Sequence, residues 1–237
     1  MKNFALFTIT IILLLTGKLT AQYSVGGENN NIAITITGVV QTINETNVEG
    51  SPYFENQLLT GIVHLPNKKT TESLNLALNL EENQLIYQEG EQFNIFNPSI
   101  IKGIEFKDKL GNTTAFFVTG FVSQENDINK NTPLRVVYNG EIKMFVHHTV
   151  TFDRGNFRDP VTNRKTAKYK KNEIFYLRKS DGEFVKTRLR LKNLINDIGE
   201  YEKELKDFAK KYKIKGKSES DANKLLEYYD SLKETNS

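Results

Sequence analysis

Leu134-Arg135-Val136-Val137-Tyr138-Asn139-Gly140-Glu141-Ile142-Lys143-Met144-Phe145-Val146-His147-His148-Thr149-Val150-Thr151-Phe152 reads as a β-hairpin. Its two arms, Leu134–Tyr138 and Ile142–Phe152, are rich in Val, Phe and Ile, side chains that pack well on a pleated surface. Asn139-Gly140 sits between them. That dipeptide is favoured where both central residues of a two-residue turn need positive φ, because such a turn matches the strand twist. The spacing predicts antiparallel neighbours joined tightly at Asn139-Gly140.

Toward the N-terminus the same grammar recurs. Leu58 to Leu65 reads as a strand closed by Pro66-Asn67, and Leu74, Leu76, Leu78 and Leu80 alternate with polar or small residues. Glu81-Glu82-Asn83 turns the chain into Gln84–Gln88, and Glu89-Gly90-Glu91 turns it into Gln92–Phe96. After Asn97-Pro98 come Ile100–Phe106, a turn over 107–112, and Thr114–Val122. Ile32, Ile34 and Ile36 mark one further strand. Short strands separated by turn chemistry imply an antiparallel meander rather than βαβ units.

Toward the C-terminus, Phe175–Leu177 and Phe184–Thr187 form a second hairpin through Ser180-Asp181-Gly182. Then the period changes. Leu191, Leu194, Ile195 and Ile198 share a helical face that Gly199 ends; Tyr201, Leu205, Phe208, Ala209 and Tyr212 form a second stripe. Ser218 or Ser220 caps a last helix carrying Ala222, Leu225, Leu226, Tyr229 and Leu232. The predicted fold is mainly β with a C-terminal α part: an antiparallel meander sheet, curled or a small sandwich, followed by two or three short helices.

Met1-Lys2-Asn3 is followed by an apolar run from Phe4 to Leu15, then by Gly17-Lys18-Leu19-Thr20-Ala21. A run of this length falls short of the roughly 20 residues that span a bilayer and fits a cleaved export signal. The expected organisation is a signal peptide over 1–21, a β-rich domain over 22–188 and a helical region over 189–237. Export places the chain in the periplasm or at the cell surface. The sequence has no cysteine, so disulfides, thiolate metal sites, thiol chemistry and a lipidated cleavage site are excluded.

Charge is unevenly spread. Residues 22–153 carry a net −7, residues 154–217 a net +11 and residues 218–237 a net −3. Arg164, Lys165, Lys168, Lys170 and Lys171, interleaved with Tyr169, form a basic segment suited to an anionic partner. The competing reading sets that segment against the acidic part of the same chain. Export sets nucleic acid aside, leaving an unidentified protein or an anionic envelope component as the expected partner.

Catalytic frames are lacking. His147 and His148 are strand neighbours that point to opposite faces, so they cannot serve one site, and one is expected to face solvent with the other partly buried. His64 could meet one of them across strands, but zinc needs three or four ligands. There is no G-x-S-x-G elbow. Gly26-Gly27 precedes no helix and makes no phosphate loop. Glu81-Glu82 and Glu89/Glu91 lie at solvated turn tips, and Asp153–Pro160 misses EF-hand spacing. No cofactor is expected. A non-enzymatic binding or interaction module is the leading expectation; the alternatives are a carrier of an apolar ligand inside a curled sheet and a hydrolase with a dispersed site.

Several stretches resemble a family of small secreted Bacteroidota proteins without an assigned function. They are Gly50-Ser51-Pro52-Tyr53-Phe54 with Gly61-Ile62-Val63, the 74–88 double strand, Val136 to Phe145, and the C-terminal part from Phe175-Tyr176-Leu177 to Leu226-Glu227-Tyr228-Tyr229. The resemblance covers most of the chain after the leader. It implies a secreted β-meander with a Lys-rich helical end and transfers no site residue.

Overall fold

The computed structural model describes residues 48–90, 92–155 and 167–236. The leader, Gly26-Gly27, the 32–37 strand, Glu91, most of the 153–160 loop, and Arg164 and Lys165 lie outside them. The described residues form one eleven-stranded sheet followed by three helices. Its strands are β1 (Val48–Glu49), β2 (Leu59–His64), β3 (Leu74–Asn79), β4 (Gln84–Glu89), β5 (Gln92–Ile95) and β6 (Gly103–Lys107), then β7 (Thr113–Val118), β8 (Leu134–Asn139), β9 (Lys143–Asp153), β10 (Ala167–Arg178) and β11 (Phe184–Thr187). The helices are α1 (Leu191–Ile198), α2 (Glu202–Lys211) and α3 (Glu219–Asn236).

Two meanders meet side by side. Strands β6 to β10 follow in sequence, while β2 to β5 run outward from β2, which pairs antiparallel with β6. At the far end β10 is shared: its first residues pair parallel with β1 and its last residues pair antiparallel with β11. The parallel β1 pair departs from the all-antiparallel expectation. It exists because residues 50–56 strap β10 back to β3, where Tyr53 bridges Asn79 and Leu80 N–H donates to the Pro52 carbonyl at 2.9 Å.

The alternation read in sequence sets the faces. Leu76, Leu78, Leu85, Val63, Ile104, Phe106, Ala115 and Phe117 line the inner face, joined by Phe54 from the strap and Val150 from β9. The sheet curls over this cluster, helped by bulges near Phe106 and Val136. Phe54, Phe106 and Phe117 fill its middle with ring centroids 5.0 to 5.9 Å apart. Further along the same face, Met144 and Leu177 pack with Leu194, Ile195, Ile198, Leu205, Leu225 and Leu226. The three helices thus share a core with β9 and β10. On the outer face, Ile128 and Phe121 of the β7–β8 connection cover Phe145 and Tyr176. Among the described residues no helix is long and apolar enough to cross a membrane.

The β8–β9 hairpin forms, but its turn is not the expected one. Asn139 pairs with Lys143 across residues 140–142, and neither Asn139 nor Gly140 has positive φ. Ile142 is instead drawn into the helix-facing core at 3% exposure. Gly140 is required for space: a Cβ there would overlap both the Tyr138 ring and the Asp230 carboxylate of α3, which accepts the Tyr138 hydroxyl at 2.6 Å. Burial, followed by Asp230 at the other end of that bond, pushes the Tyr138 phenol well above its ordinary range. Packing of α3 on the hairpin has overridden local turn preference. The second departure is β10, which starts at Ala167 rather than at Phe175.

Gly140→Ala should cost about 1–3 kcal/mol in urea unfolding, the usual range for forcing an extra carbon into a filled site. The same substitution in an Asp230→Ala background should cost much less. Equal costs in both backgrounds would show that the hairpin itself, through its turn or the Tyr138 ring, and not helix docking, selects this glycine.

Candidate functional site

Strand pairing and the docking of α3 bring four polar side chains to one place on the inner face. Phe117 pairs with Arg135, placing Arg135 on that face of β8; His148 of β9 pairs with Glu173 of β10. Glu219 arrives from the first turn of α3, where the helix N-terminus favours a carboxylate. Ser218 caps that helix, its hydroxyl accepting Asp221 N–H at 3.1 Å. Arg135 grips Glu219 with both terminal nitrogens, at 3.0 and 2.5 Å, and its Nε donates to His148 Nε2 at 3.0 Å. Since Nε2 accepts, the imidazole proton belongs on Nδ1, which lies 3.6 Å from the Glu173 carboxylate.

His148 is 9% exposed, with the Phe54 and Phe117 rings against it. Burial, and then the Arg135 charge, push its pKa down to about 4. The ring is neutral at pH 7, and both nitrogens are engaged or faced. The described residues place no serine or threonine hydroxyl on it, and this cluster ties α3 to the sheet. His147 points to the other face, as alternation requires, and burial lowers its pKa too. The expectation that one of the pair faces solvent is corrected: both are buried, because the β7–β8 connection covers the outer face as the strap and helices cover the inner one. His64 meets neither. It pairs with Glu105 at 3.2 Å, on the face opposite Phe106 and Phe117. The Thr113 hydroxyl, donating at 2.5 Å, is the main cause that holds Glu105 below its ordinary range. Among the described residues no group of three His, Asp or Glu is placed to hold a metal ion.

The basic segment divides. Arg164 and Lys165 lie outside the described residues. Lys168, Lys170 and Lys171 stand on β10 with partners inside the chain. Lys168 pairs with Glu49 at 2.8 Å and Lys170 with Asp153 at 2.7 Å. Lys171 holds the strap through the Tyr53 carbonyl and, at 2.5 Å, the Asn56 side chain. Burial lowers the Lys171 pKa.

Free cations gather instead around the end of β11, which sequence reasoning passed over. Lys186, Arg188 and Arg190 follow one another there, all exposed. The α2–α3 loop then brings Lys215 and Lys217 alongside: Leu191 N–H donates to the Lys215 carbonyl at 3.3 Å, and Gly216 lies so close that a Cβ would sit 2.5 Å from the Leu191 nitrogen. None of these five side chains has an ion-pair or hydrogen-bond partner among the described residues. Acids close to this rim have other neighbours: Glu173 faces His148, Glu219 is gripped by Arg135, and Asp221 accepts the Lys215 and Lys217 backbone N–H groups at 3.2 Å each. Beside this rim a notch of about 380 Å³ opens between β10 and the departing end of β11, lined by Glu173, Ile174, Phe175, Thr187, Arg188 and Leu189 among others. Thr187 is 4% exposed and its Oγ1 has no hydrogen-bond partner among the described residues. The signal in sequence was the alternation of Lys186, Arg188 and Arg190 with Thr187 and Leu189, legible once β11 is known to end there.

His148 makes the cluster acid-sensitive. The folded state holds the ring neutral, so the unfolded chain takes up its proton first as pH falls below about 6.5. Its stabilising contribution is complete above that pH and is lost on approach to about 4. Wild-type stability should therefore fall by up to about 3 kcal/mol more than that of His148→Gln across this window, measured by urea unfolding at several pH values. Parallel curves for the two proteins would mean that His148 is not held neutral by the fold.

Comparison of the chain with protein-family models, with curated proteins and with solved structures found no match.

Proposed function

We propose that the protein is an exported, non-enzymatic interaction module that binds an anionic partner at the basic rim of Lys186, Arg188, Arg190, Lys215 and Lys217. The observation that carries this reading is the contrast between two sets of cations. Those of β10 are consumed by partners within the chain, whereas those of the rim are exposed and without side-chain partners among the described residues. Leaving five like charges side by side costs repulsion that an anionic partner would relieve. The inner face of the sheet is occupied by Phe54, Phe106 and Phe117, which weighs against a carrier of an apolar ligand. His148 hydrogen-bonds Arg135 and is kept neutral, which weighs against a hydrolase centred on it. Export rests on the leader, as does the choice of an envelope component over nucleic acid.

Lys186→Glu/Arg188→Glu/Lys215→Glu should weaken binding to heparin or to anionic vesicles at least tenfold at about 0.1 M salt, where surface charges still act over about 10 Å. Lys168→Glu/Lys170→Glu should leave it within twofold. Equal losses in the two variants would point to net charge alone and reject the rim. Recovery of the native chain from the cytosol with residues 1–21 still attached would reject the export.

A further inference from the structure

The outer edge of β10 is interrupted. Its start is paired to β1 as far as Lys168, the strap is held at Lys171, and pairing with β11 begins at Phe175 opposite Thr187. Between these, Asn172, Glu173 and Ile174 have no strand beside them on that side among the described residues, although β9 pairs them on the other. Asn172 and Glu173 are exposed. An unpaired strand edge offers main-chain donors and acceptors to another strand. Beyond Thr187 the chain leaves β10, Arg190 N–H folding back onto the Arg188 carbonyl at 2.7 Å before α1 begins. The notch is the space that β11 would fill if it ran on.

We propose that this gap takes an extended segment of a partner protein, whose alternate residues are acidic and apolar, by adding it to the β10 edge. The inference rests on the basic-rim reading and names the chemistry of the partner. Strand geometry supplies the alternation. On one side of the pleat lie Phe175, Thr187 and Leu189, where an added strand meets largely apolar surface. On the other side lie Lys186 and Arg188, both exposed and without an ion-pair partner among the described residues. Glu173 is the one acid in the gap. It faces His148, and it disfavours a carboxylate directly opposite, which places the acidic residues of the incoming segment on the Lys186 side. Main-chain pairing supplies affinity in this mode and the alternate side chains supply selectivity.

The test uses the full chain and a fluorescein-labelled, end-blocked Val-Glu-Val-Glu-Val-Glu peptide, followed by fluorescence anisotropy. Saturable binding is expected, weakened at least tenfold by Lys186→Glu/Arg188→Glu and also at least tenfold by N-methylating alternate peptide amides at unchanged charge. Circular dichroism checks that the variant is folded, and the methylated peptide tests the same point without altering the protein. If the methylated peptide binds as well as its parent, or if phosphatidylglycerol vesicles bind through the rim while the peptide does not, strand addition is overturned and the basic-rim reading stands. If neither peptide, vesicles nor heparin binds in a way that depends on Lys186, Arg188 and Lys215, both fall.

Discussion

The pairing of β9 with β10, from Lys168 opposite Asp153 to Arg178 opposite Lys143, is the contact on which the remaining architecture hangs. One end of this ribbon offers Met144 and Leu177 to the helices, and its middle offers His148 and Glu173 to the polar cluster. Its basic end holds the strap through Lys171. A strand as polar as the first half of β10 is held less by its own side chains than by a complete ladder to a strongly apolar neighbour, since buried backbone groups must all be paired.

Arg135 explains how the helices are fixed to the sheet at a chosen position. Apolar contact between α3 and the inner face is non-directional and tolerates sliding. A guanidinium that engages Glu219 with two nitrogens and His148 with a third does not. Tyr138, bonded to Asp230 at 2.6 Å, pins the same helix further along. These bonds contribute specificity of placement more than net stability, because part of what they return offsets the loss of hydration. That placement holds the α2–α3 loop against Arg190 and Leu191, so the basic rim is a product of helix docking.

The two basic surfaces differ in physical kind. On β10 each described lysine meets an acid or a carbonyl delivered by β1, β9 or the strap, and such exposed pairs are worth little individually but remove the local field. Around β11 Asp221 accepts backbone N–H groups and Glu173 faces the neutral His148 ring, and neither pairs with the lysines and arginines there among the described residues, so these keep theirs. Charge counting along the chain finds the excess in residues 154–217 but cannot divide it this way, because ion-pair partners such as Glu49 and Lys168 are far apart in sequence.

What the chain alone determined is whatever depends on near neighbours. Period-two runs made β2 to β9 legible, and the apolar stripes with Gly199 and Ser218 made the three helices legible; the faces to which His147 and His148 point follow from the same alternation. Tertiary structure decided whatever depends on residues distant in sequence. It extended β10 through a lysine-rich stretch with no apolar period, returned β6 to β2, and reshaped the Asn139-Gly140 turn around Asp230. It also buried both His147 and His148 and chose which cations lack partners among the described residues. Local propensity is set within a few residues, whereas pairing, burial and charge neutralisation are set by what the fold brings alongside, and those terms are the larger ones.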